Sequence, residues 1–236
     1  MTQIFPFLSS FLSIIFAVLI LRRYFIKKGA HQLLWGIGMV FYAIGGFCEA
    51  FYISFGWNDL IFRLWYLFGA ILVAAWLGQG TVYLLVKKNW AHGLMGLLLL
   101  GSIYATYRIF TAQLDPSLMT SGLHTGSELS GHAISTPGVR TLTPFFNLYG
   151  TLTLVGGAIY SAFIFWRKRI LLHRTIGNLL IAVGAILPAF GGTFSRFGIS
   201  GALYLSEFLG AVLLFLGFLR ATTPMKESRE AETVQS

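Results

Sequence analysis

Charge is scarce in this sequence. Of 236 residues, 11% are Asp, Glu, Lys or Arg, against about 25% in soluble domains. Acidic residues are the scarcer kind, 8 against 17 basic ones. There is one cysteine, Cys48, so no intrachain disulfide can form. That excludes thiol–disulfide relay chemistry, which needs cysteine pairs. No glycine-rich phosphate loop, Ser-His-Asp arrangement or zinc-protease helix motif is present. No lysine lies inside an apolar run, where a retinal Schiff base would need one. His31, His92 and His173 fall at the ends of apolar runs, and His124 and His132 fall in a polar connection. None is placed to hold haem across a bilayer. These absences point away from an enzyme and from a cofactor.

Apolar residues fill the space that charge leaves, at 56% of the chain. A membrane-crossing helix needs about 20 of them in a row. Seven segments qualify, at roughly 4–21, 33–53, 61–86, 91–110, 143–166, 176–195 and 201–219. The expected fold class is an all-α integral membrane protein. Residues 1–220 would form a seven-transmembrane helix bundle, and 221–236 a polar, disordered tail with no output domain. The first segment has no basic residue ahead of it, and Arg22, Arg23, Lys27 and Lys28 follow it. A cleaved signal peptide carries its charge in front, so this one reads as an uncleaved anchor.

Alternating the seven segments puts 13 of the 17 basic residues on one side and leaves only Arg63, Arg108, Arg140 and Arg196 on the other. The basic-rich side is expected to be cytoplasmic. This places the N-terminus outside and the C-terminus inside, in the cell (plasma) membrane. The net charge of +9 then reflects orientation and contact with anionic lipid headgroups, and no nucleic acid is needed to explain it. The outer connection, 111–142, is rich in Ser, Thr, Gly and Pro. A lid over the outer mouth and a tolerated insertion are both open readings. Its His124, Glu128 and His132 would share a face if helical and could bind zinc. Gly122, Gly126 and Gly131 disfavour that helix, so no metal site is assigned.

Segments two and six align at an offset of 146. Nine of the 22 positions over 33–54 are identical, among them Gly38, Gly45 and Gly46 with Gly184, Gly191 and Gly192. Chance would give about two. Segments 1–3 and 5–7 would then be parallel repeats joined by segment 4, as in some secondary transporters; seven-helix receptors share the helix count. Gly177, Gly184, Gly191 and Gly198 recur every seven residues, on one helical face. Small residues there let a second helix approach closely.

Charge inside a bilayer is costly and tends to mark a site. Glu49 lies near the outer end of segment two and Glu207 near the outer start of segment seven. Arg63, Arg140 and Arg196 flank the outer ends, and Asn147 is one turn into segment five. Every basic residue on that side is arginine, whose planar fork suits carboxylates and tolerates burial. One reading is an outward-open pocket lined by Glu49, Arg63, Tyr66, Asn147, Arg196, Tyr204 and Glu207, with Trp65 in its wall. The other is two structural ion pairs, Glu49–Arg63 and Glu207–Arg196. In the inner half, Gln79 and Asn178 are the main polar residues and are expected to hydrogen-bond between helices. Pro188 is expected to kink segment six.

Trp35 through Leu85 sets an aromatic-rich helix with Glu49 near its outer end before a short loop and then Arg63-Leu64-Trp65-Tyr66-Leu67. This order, over about a fifth of the chain, resembles the seven-transmembrane sensor region of bacterial histidine kinases. The resemblance implies ligand sensing at the outer face. The leading expectation is a receptor-like protein that binds a small molecule from outside and acts through a membrane or cytoplasmic protein partner. A secondary transporter and a non-catalytic complex subunit are the alternatives.

Overall fold

The computed structural model of the chain describes residues 2–120, 129, 133–168, 172–197, 199 and 201–222. The His124, Glu128 and His132 triplet, Gly198 and the tail from 223 lie outside them. Among the described residues, seven helices are long and apolar enough to cross a membrane. They are α1 (Phe5–Lys27), α2 (Ala30–Phe55), α3 (Asp59–Leu85), α4 (Lys88–Thr111), α5 (Leu142–Arg167), α6 (Leu172–Arg196) and α7 (Ala202–Thr222). Most run several residues past the apolar segments, because the charged residues at their ends continue the helix into the headgroup zone.

The connections explain where the helices stop. Lys28 closes α1 in the left-handed conformation, at φ +53°, donating its N–H to the Tyr24 carbonyl. Gly56, at φ +82°, ends α2. The Asn58 side chain then accepts from Ile61 N–H at 3.0 Å, which caps an orphan donor at the start of α3.

Six helices form a closed ring in the order α1, α2, α3, α5, α6, α7 and back to α1. Helix α4 lies outside it against α3. Among the hydrogen bonds that hold it there, Trp76 Nε1 donates to Ser102 Oγ at 3.2 Å, and Gln79 Nε2 to the Ala91 carbonyl at 2.9 Å. Tyr149 of α5 donates its hydroxyl to Gln79 Oε1. Gln79 therefore joins three helices, as expected. Asn178 does not: it is half-buried and donates to the Arg174 carbonyl of its own helix.

The glycines set the closest approaches. A Cβ on Gly177, Gly184 or Gly191 would sit within 3 Å of α7 backbone, so the seven-residue glycine spacing is the α6–α7 seam. The repeat also reappears in space. Gly38 faces Leu77 and Gly184 faces Leu214; Gly45 faces Gly69 and Gly191 faces Ser206; Gly80 faces Trp35 and Gly217 faces Ile181. Each pair maps onto its counterpart with the same two offsets, 146 for α2 onto α6 and 137 for α3 onto α7.

Two apolar clusters fill the bundle. One, at the end carrying the 112–141 connection (the loop end), is aromatic and includes Trp57, Phe62, Trp65 and Tyr66. The connection is folded onto it. Leu129, Ala133, Ile134 and Val139 are buried in this cluster, and Leu114 pairs with Ile134 as an antiparallel bridge. Nearby, Asp115 accepts from the Ser117 N–H and hydroxyl, which holds its carboxyl below the ordinary range. The other cluster joins Phe16, Ile20, Met39, Leu77, Leu154, Leu214 and Phe218 nearer the basic ends of the helices.

Candidate functional site

A cavity of about 900 Å³ occupies the ring between these clusters. Helices α2, α3, α5, α6 and α7 line it, and residues 134–138, 140 and 141 line its loop end. Its deep end is formed by Leu77, Leu154 and Leu214, which are also the upper layer of the second cluster. Below them the second cluster packs Phe16, Ile20, Met39 and Phe218.

The helix that supplies more of the wall than any other is not regular. Helix α3 widens to π-helical turns over Trp65–Leu72, and α5 does so over Thr151–Val155. Trp65, Tyr66, Gly69, Ala70, Thr151 and Leu154 all come from these turns and line the cavity. Such turns are rare and occur often at functional sites.

Glu49 and Glu207 meet. Glu49 lies six residues before the end of α2 and Glu207 five residues after the start of α7. At 1.5 Å per residue these are about 9 and 7.5 Å from the helix ends, so the two helices bring them to one level. Their side chains are neighbours across the ring. Glu49 is fully buried, and its Oε1 accepts from Trp65 Nε1 at 3.0 Å. Its Oε2 has no hydrogen-bond partner among the described residues. Glu207 is half-buried and forms part of the cavity wall. Tyr42 lies beside it in the wall and donates its hydroxyl to the Glu207 backbone carbonyl at 2.8 Å.

The other residues singled out in the sequence divide. Tyr66 lines the cavity and accepts from Thr143 Oγ1 at 3.0 Å; Asn147 lines it and donates to the Ala70 carbonyl at 3.2 Å. Trp65 is in the wall as expected, and Arg140 is at the loop end. Tyr204 is buried and lies outside the lining. Arg63 turns away from Glu49. Its guanidinium donates to the Ile109 and Ala112 carbonyls, the latter at 2.9 Å, and pairs with Asp59 at 3.8 Å. It therefore caps the C-terminus of α4, where cations are favoured by the helix dipole. The Asp59 contact is the only ion pair among the described residues. Arg196 ends α6, and its side chain lies outside what is described.

Sequence reasoning paired acid with arginine by charge, whereas the fold pairs acid with acid. Missed altogether were Tyr42, Thr143, Thr151 and Gly69. The signal for the first was available. Tyr42, Gly45, Gly46 and Glu49 follow the i, i+3, i+4, i+7 spacing of a single helical face. The chain matches no protein-family model, no curated protein and no solved structure.

Proposed function

We propose that this is a receptor-like, non-catalytic membrane protein that binds a small molecule in the ring cavity, with the loop end facing outside. The supporting observation is the cavity: about 900 Å³, mostly apolar, with Glu207 in its wall and leucines across its deep end. Small-molecule sites typically measure about 300–1,000 Å³ and combine apolar walls with few polar groups. The orientation rests on the distribution of basic residues. Ligand contact with the π-helical turns of α3 and α5 would bias their geometry, and helix motion would carry the signal to a partner. The resemblance of Trp35–Leu85 to kinase sensor regions fits the same role.

A thermal-shift screen of the protein in nanodiscs tests this reading, with the Glu49→Gln/Glu207→Gln variant beside it. A ligand at 100 times its dissociation constant stabilises the folded state by about 2.7 kcal/mol. A compound that shifts the native protein and not the variant supports the cavity. A library that shifts neither removes it.

The matched α2–α3 and α6–α7 interfaces favour a second reading. Parallel repeats about an axis along the membrane normal are a transporter architecture. Flux of a bound solute into vesicles, lost on Glu207→Gln, would establish transport.

A further inference from the structure

We propose that the cavity takes an organic cation, an ammonium group on a compact apolar body, and that Glu207 is the group that holds it. This rests on the reading of the cavity as a ligand site. Glu207 is the one acidic residue in the cavity wall, and no cation among the described residues is paired with it. Its neighbour Glu49 is fully buried and held by Trp65, so it does not reach a ligand. The carboxylate presented to the cavity is therefore that of Glu207.

The surroundings select for a cation with an apolar body. From α2, Tyr42 lies beside Glu207 in the wall. Helix α3 contributes Trp65 and Tyr66, α5 contributes Asn147 and Thr151, and α6 contributes Gly192 and Thr193. None of these carries charge. Arg140 belongs to the loop-end lining, and Arg63 is committed to α4 carbonyls. A bound ammonium would make a charge-assisted hydrogen bond to Glu207, with the faces of Tyr42, Trp65 and Tyr66 as further cation-attracting surface. The leucines below would take the apolar body. Protonation of Glu207 would remove the charge, so binding weakens as pH falls.

The test compares 2-phenylethylamine with its neutral counterpart 2-phenylethanol, by titration calorimetry on the full chain in nanodiscs. The amine is expected to bind at least about tenfold tighter, equivalent to about 1.4 kcal/mol. Glu207→Gln should erase the preference. Glu49→Gln should keep it, since Glu49 is fully buried and does not reach the ligand. Equal affinity for the two probes, or a preference that survives Glu207→Gln, overturns the cation assignment. If both probes then still lose binding in Ala70→Leu, which fills the cavity, the small-molecule reading stands without it. If neither probe binds the native protein, the cation assignment fails, and the nanodisc library screen decides the broader reading separately.

Discussion

Gly38 faces Leu77 where α2 meets α3, and Gly184 faces Leu214 where α6 meets α7. The two interfaces share their spacing and differ in chemistry. Glu49 in the first half maps onto Ser195 in the second, and Glu207 in the second maps onto Ala70 in the first. Each half therefore supplies one acid at a position where the other half has none. The repeat specifies how the helices approach, and the candidate site is made of the residues that break it.

The two seams also differ in tightness, and this gives the largest expected effect. A Cβ on Gly184 would meet the Gly210 carbonyl and the Leu214 nitrogen, both at 2.8 Å and both backbone, while at Gly38 the two nearest atoms, at 2.7 Å, belong to the Leu77 side chain. Side chains give way and backbone does not. Gly184→Ala is expected to destabilise by about 2–3 kcal/mol, and Gly38→Ala by about 1 kcal/mol, measured by unfolding in mixed micelles. Equal costs would mean that the seams are equivalent.

Next is the support of the acid pair. Trp65→Phe removes the one N–H donor to buried Glu49 and is expected to cost about 1–3 kcal/mol. The loss should shrink in a Glu49→Ala background, where no buried acceptor is left without its donor. A cost unchanged by that second substitution would place the effect in packing. Gln79→Leu cuts the bonds from α3 to α4 and α5 and should cost about 0.6–1.7 kcal/mol, the range of interhelical hydrogen bonds in membranes. It should also loosen α4 first, seen as faster proteolysis of the Val86–Lys87 turn. Asn178→Ala, which removes only an exposed bond within α6, should fall within about 0.5 kcal/mol of native.

These magnitudes show what the sequence carried. The seven helices were legible because lipid demands long apolar runs, and the glycine seam because close packing demands a fixed spacing. Burial of Glu49 followed from its place inside such a run. Its partner did not, since charge alone matches Glu49 with Arg63, and only the rotation of α7 brings Glu207 to it. The role of Arg63 depends on where α4 ends, which hydropathy does not reveal. The π-helical turns have no sequence signature here, so Thr151 and Gly69 stayed invisible. Asn178 looked like Gln79 in the sequence, and the face it occupies separates them.

The central claim is that water enters the bundle from the loop end and stops at the leucine layer. Cys48 is buried, so a Cys48→Ala background permits single-cysteine probing. Thr151→Cys lies nine residues into α5 on the cavity wall, about 13.5 Å along the helix. Phe16→Cys lies in the apolar cluster below. A membrane-impermeant thiol reagent, applied to intact cells, should label the first and spare the second. Equal silence at both positions would contradict an open cavity, and labelling of Phe16→Cys would contradict the seal.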